Sequence, residues 1–129
     1  MTAVTAASGF TPTPDRSLWT HLRRDQQPPR LIVIGEIDLA TIDEFDRAVR
    51  EATRHHRRVI IDLTGVEFLD NVGLRTLYRY REDLIAVLIT PRSLVARALH
   101  ITGFPGVVTV PTNHEQAPWV SYSDLFSRH

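Results

Sequence analysis

The sequence predicts an α/β domain built on a mixed, mostly parallel central sheet of four to five strands with three to four helices, and two observations predict it. Short apolar runs of strand length at residues 30–34 (RLIVI), 59–63 (VIIDL), 84–89 (LIAVLI) and 107–110 (VVTV) punctuate the chain. Between them, apolar residues recur every three or four positions, the period of a helix with one buried face. Strands and helices in alternation call for parallel pairing through right-handed crossovers.

The elements follow in order. Residues 18–22 form a first short strand, and residues 26–29 (QQPP) a polar, proline-rich turn into the strand at 30–34, which together make an opening hairpin and one antiparallel edge. Gly35, Glu36, Ile37 and Asp38 read as a loop. Thr41 followed by Glu44 has the capping-box pattern of a helix start, and Ile42, Phe45, Val49 and Ala52 give that helix its apolar stripe. A basic turn at 53–58 leads to Val59, Ile60, Ile61 and Leu63, a nearly unbroken apolar run that fits a central strand buried on both faces. Leu74, Leu77 and Tyr78 imply a second helix beginning near Asp70 or Asn71. Leu94, Val95, Ala98 and Leu99 mark a third, ended by Gly103.

A chain of 129 residues has room for one domain with an independent core. The expected organisation is a flexible N-terminal arm at 1–15, rich in Ala, Thr, Ser and Pro, a folded domain at 16–110, and at 111–129 a tail or short fourth helix against the body. No basic, apolar leader opens the sequence and no apolar run reaches the roughly 18 residues of a membrane span, so a cytoplasmic protein is expected.

Composition excludes several chemistries. There is no cysteine, which removes disulfides, thiol nucleophiles and cysteine-ligated zinc. All fifteen basic residues are arginine. Without lysine there is no P-loop, no Schiff base and no kinase β3 lysine. An arginine-only basic set also fits a GC-rich, bacterial source. Net charge is zero, so nucleic acid and anionic membrane are not expected partners. Six histidines lack the spacing of a metal site: His55 and His56 are adjacent, and the others are scattered. Neither a G-x-S-x-G elbow nor a G-x-G-x-x-G loop is present. Neither an enzyme nor a cofactor is expected.

Three segments, in order, carry a resemblance. Gly35-Glu36-Ile37-Asp38-Leu39-Ala40-Thr41 is similar to a GEhDhxT loop, Asp62-Leu63-Thr64-Gly65-Val66-Glu67-Phe68-Leu69-Asp70 to a strand leading into a regulatory loop, and residues 91–104 to a third-helix segment ending in TG[LF]. Together they resemble the STAS domain of anti-sigma factor antagonists over residues 30–110. The resemblance implies docking onto an anti-sigma factor of the serine-kinase type, which frees a sigma factor and so regulates transcription. It also implies a partner surface made by Asp38, Asp70, Asn71, Val72, Gly73 and Leu74. A homodimer, or a role as a non-enzymatic subunit of a transporter or stressosome-like assembly, stays open as an alternative.

Two departures from the family pattern matter. The family's D-S-x-G-L motif, whose serine the cognate kinase phosphorylates, reads Asp70-Asn71-Val72-Gly73-Leu74 here. A phosphate would add about −1.5 to −2 charges beside Asp70; an amide adds none, so the expected behaviour is constitutive competence. The second departure is length, with seventeen residues between Gly73 and Pro91, which implies a shortened second helix or following turn.

Overall fold

A computed structural model describes residues 18–111. Five strands, β1 (Leu18–Arg23), β2 (Arg30–Ile37), β3 (Val59–Leu69), β4 (Leu84–Ile89) and β5 (Val107–Thr109), alternate after the first hairpin with three helices, α1 (Ile42–Arg54), α2 (Asn71–Arg79) and α3 (Leu94–Thr102). The strands lie side by side in chain order, β1-β2-β3-β4-β5. β1 is antiparallel to β2, and every later pair is parallel. The mostly parallel sheet with one antiparallel edge expected from the alternation is the sheet observed, and β3 is central.

That strand order fixes where the helices go. Each crossover steps one strand over in the same direction, and right-handed crossovers that never reverse put every helix on the same side of the sheet. Accordingly Phe45 and Val49 of α1, Leu77 of α2 and Leu99 of α3 share one core with Leu31, Val33, Ile61 and Leu63 from alternate sheet positions. Ile60, Ala86, Leu88 and Val110 form a smaller cluster on the opposite face. The 59–63 run is thus buried on both sides as expected, while the three helices cover only one.

Local chemistry explains the boundaries. Ser93 caps α3, its Oγ accepting from the Ala96 N–H at 3.0 Å. Gly103 ends the helix in the left-handed region at φ 70, and the Phe104 N–H returns to the Leu99 carbonyl at 3.0 Å. Tyr78 then joins α2 to the end of α3, packing edge-on to Phe104 with centroids 4.8 Å apart and donating its hydroxyl to the Thr102 carbonyl at 2.8 Å.

The structure corrects five boundaries and one motif. Gly35, Glu36 and Ile37 belong to β2, so the loop is only residues 38–41. β1 runs one residue further than expected, to Arg23, and α1 runs on to Arg54, two residues into the expected turn. β3 continues six residues past Leu63, to Leu69, and β5 stops at Thr109. Asp70 is the N-cap of α2 and Asn71 its first helical residue. Thr41 stands at the N-cap position of α1, but its side chain makes no cap bond and is used elsewhere. The second helix has nine residues and is followed by a single 3-10 turn, Arg81–Asp83. The expectations for residues 1–15 and for the tail beyond 111 lie outside the described residues.

Candidate functional site

β2 and β3 end in register, with Ile37 opposite Leu69, and both side chains point into the helix-side core. One position further on, the Asp70 N–H donates to the Ile37 carbonyl at 2.9 Å. This bond brings the β2–α1 loop and the start of α2 together at the carboxyl ends of two parallel strands, where open α/β sheets characteristically present their binding residues. Asp38 and Asp70, thirty-two positions apart in sequence, each follow one member of the Ile37–Leu69 pair.

The first loop is held by its own polar groups. Asp38 Oδ1 accepts from the Ala40 N–H at 2.9 Å and the Thr41 N–H at 3.2 Å, an Asx-type turn. The Thr41 hydroxyl, buried, donates to the Glu36 carbonyl at 2.8 Å and accepts from the Asp38 N–H at 3.0 Å. Thr41 therefore staples the end of β2 to the loop instead of capping α1. The result presents Leu39 on the surface at 74% exposure, a large apolar side chain left in water.

The second loop is equally defined. Asp70 Oδ1 accepts from the Asn71 N–H at 2.7 Å, and the Asp70 carbonyl receives the N–H groups of Gly73 and Leu74 at 2.9 and 3.1 Å, closing the first turn of α2. Asn71 is exposed and Val72 half-buried. Gly73 and Leu74 are buried, so of the six residues expected at a partner surface these two lie beneath it. Gly73 allows α2 to sit close to the strand ends: a Cβ there would lie 2.5 Å from Leu69 Cδ1 and 2.6 Å from Ile37 Cγ2.

The structure adds residues that the sequence did not single out. Phe68 is the register partner of Glu36, on the face away from the helices, and is 42% exposed. Between Gly35 and Glu36 the β2–β3 register shifts by one, leaving Glu67 as the extra residue of a bulge, also exposed. Each exposed apolar side chain thus has carboxylates next to it, Leu39 following Asp38 and Phe68 following Glu67 opposite Glu36. On the other flank, α1 and α2 frame a groove of about 260 Å³ that begins at Ile42 and Val72 and is bridged at its far end by Arg79 and Asp46, 2.8 Å apart. Exposed apolar side chains beside carboxylates are complementary to a basic protein surface. Among the described residues, no three histidine, aspartate or glutamate side chains gather as a metal site, and no helix is long and apolar enough to cross a membrane.

Comparison with solved structures finds the same architecture. The crystal structure of an anti-sigma factor antagonist from Mycobacterium paratuberculosis aligns with TM-score 0.64 and 28% identity, over 85% of this chain and 98% of that one. The anti-sigma factor antagonist SpoIIAA, in its unphosphorylated form, aligns with TM-score 0.57 and 17% identity, over 78% of this chain and 93% of that one, and shares the fold. No curated protein is similar enough to match. The family model of the STAS domain matches residues 24–117, and with the sheet, the helices and the two apposed loops in place, the chain belongs to the STAS domain family.

Proposed function

We propose that this protein is an anti-sigma factor antagonist that docks, without catalysis, on a serine-kinase-type anti-sigma factor and frees a sigma factor. The observation that carries the reading is the apposition of the Asp38 loop and the Asp70-Asn71 start of α2, with Leu39 exposed on the first loop and Phe68 exposed two residues before Asp70. The likeness to the antagonist from Mycobacterium paratuberculosis, over almost all of that chain, supports the same reading. Asp38, Asp70, Asn71 and Val72 then make contact, whereas Gly73 and Leu74 set the height of the helix beneath them.

Asn71 takes the position of the family's phosphorylated serine. Its amide is neutral and exposed on the first residue of α2, so the repulsion that a phosphate would create beside Asp70 never arises. The antagonist is accordingly always competent to dock, and control passes to its abundance or to its partner. Titrating the full chain against each serine-kinase-type anti-sigma factor of its source genome tests this. One partner bound at micromolar affinity or better, with release of its sigma factor, is the expected result; binding to none of them would refute the proposal.

A further inference from the structure

At the opposite end of the sheet, where β2, β3 and β4 begin, lies a second concave feature. The QQPP turn ahead of β2, the α1–β3 turn and the start of β4 frame an open cavity of about 420 Å³ lined by Gln27, Pro28, Pro29, His55, His56, Arg57, Arg58 and Ile85. That volume falls within the range of small-molecule sites, about 300–1,000 Å³. None of the eight lining residues is acidic. Among the described residues Arg57 and Arg58 form no ion pair, a condition they share with Arg47, Arg75, Arg81, Arg92 and Arg97, but only these two stand side by side in sequence. Carboxylates flank the docking loops, where Arg75 also stands beside Val72, whereas no carboxylate lines this end.

We propose that this cavity binds a small phosphate-bearing anion. Two guanidinium groups offer fork-shaped donors matched to phosphate oxygens, and the imidazoles of His55 and His56 add further donors. Pro28, Pro29 and Ile85 supply a stiff apolar wall for an organic part of the ligand. The walls are tied together, since the Ile60 N–H donates to the Pro29 carbonyl at 2.9 Å just inside the cavity mouth. The carbonyl end of α1, capped by His55, opposes an anion. Its field equals only about half an elementary charge, however, against two permanent guanidinium charges. A nucleic-acid strand fits less well, because the cations are confined to one turn and no Phe, Tyr or Trp lines the site to stack a base.

Calorimetric titration of the full chain with inorganic phosphate, pyrophosphate, AMP and adenosine, at low salt and again near physiological salt, tests the proposal. Pyrophosphate or AMP should bind with Kd below about 1 mM at low salt, adenosine should not bind, and the double variant Arg57→Ala/Arg58→Ala should weaken binding at least tenfold with an unchanged melting curve. AMP binding tighter than pyrophosphate would identify a phosphate ester as the ligand, and the reverse an inorganic anion. No binding by any phosphate probe, undiminished binding by the double variant, or tighter binding of an oligonucleotide would overturn it. Anti-sigma factor binding by the same double variant should be unchanged, so this site and the docking loops can fail independently.

Discussion

The Asp70 N–H and the Ile37 carbonyl, 2.9 Å apart, join the first residue before α2 to the last residue of β2. Through this bond the docking surface has a fixed height above the sheet, because α2 cannot rise without breaking it. Beneath the helix the spacing is already minimal. A methyl group on Gly73 would stand 2.5 Å from Leu69 Cδ1 and 2.6 Å from Ile37 Cγ2, both core side chains with little freedom to withdraw. Gly73→Ala should therefore destabilise the domain by about 1–3 kcal/mol, and Gly73→Val by more. For a domain of this size each kcal/mol lowers the melting temperature by about 4–8 °C. A parental melting curve for Gly73→Val would show that α2 has room to move.

Thr41 offers a test of the other loop. Its buried hydroxyl satisfies both the Glu36 carbonyl and the Asp38 N–H, at 2.8 and 3.0 Å. Thr41→Val keeps the shape and removes both bonds, which should cost about 1–3 kcal/mol. Thr41→Ser retains the hydroxyl and should lose much less. If the valine variant melts with the parent and the Asp38 amide remains equally protected from hydrogen exchange, the staple does not hold the loop.

Much of this arrangement was legible in the sequence, and what was not has physical causes. Element order and the β4 boundaries followed from apolar runs with clear punctuation, as with Leu84–Ile89 ahead of Thr90 and Pro91. The ends of β2 and β3 read as loop because Gly35, Glu36, Thr64, Gly65 and Glu67 are small, polar or outward-facing, and because bulges at the two register shifts break the alternation. Thr41 and Glu44 match a capping box, but in three dimensions the Thr41 hydroxyl accepts from the Asp38 N–H and donates to the Glu36 carbonyl instead. Leu39 and Phe68 could not be singled out by residue type, since only the loop conformation exposes Leu39 and only the β2–β3 register turns Phe68 outward. The basic turn read as solvated charge; its cavity exists only once Pro28 and Pro29, some thirty positions away, close over it.

Asp70 combines two roles that substitution can separate. Its carboxylate caps α2, and in the proposed docking surface it also stands at the rim. Asp70→Asn keeps a capping side chain and should preserve stability to within about 0.5 kcal/mol, while removing one charge from the rim. Asp70→Arg loses the cap and reverses the charge, and should weaken anti-sigma factor binding by about 2 kcal/mol or more. An arginine variant that binds as tightly as the parent would place the interface elsewhere.

Position 71 separates electrostatic repulsion from misfolding, because the two predict opposite signs. As the first residue of α2, an added carboxylate meets the positive end of the helix dipole, so Asn71→Asp should leave the free domain as stable as the parent or raise its stability by about 0.3–1 kcal/mol. The same charge beside Asp70, desolvated against a partner, should weaken docking by about 1–2 kcal/mol, roughly a 5- to 30-fold loss of affinity. Higher stability with weaker binding is a combination that structural damage does not produce. Asn71→Ser restores the hydroxyl, and with the partner kinase and ATP it should acquire phosphate at residue 71 and release its partner, while the parent stays unmodified there. Of the nearby hydroxyls, Thr76 is buried at 2% exposure and inaccessible to a kinase, whereas Thr64 is exposed and donates to Asp62 Oδ1 at 2.6 Å. Mass spectrometry that found phosphate on Thr64 of the parent, with loss of binding, would show that the switch has moved along β3. Asn71→Asp that bound as tightly as the parent would instead place the start of α2 outside the interface.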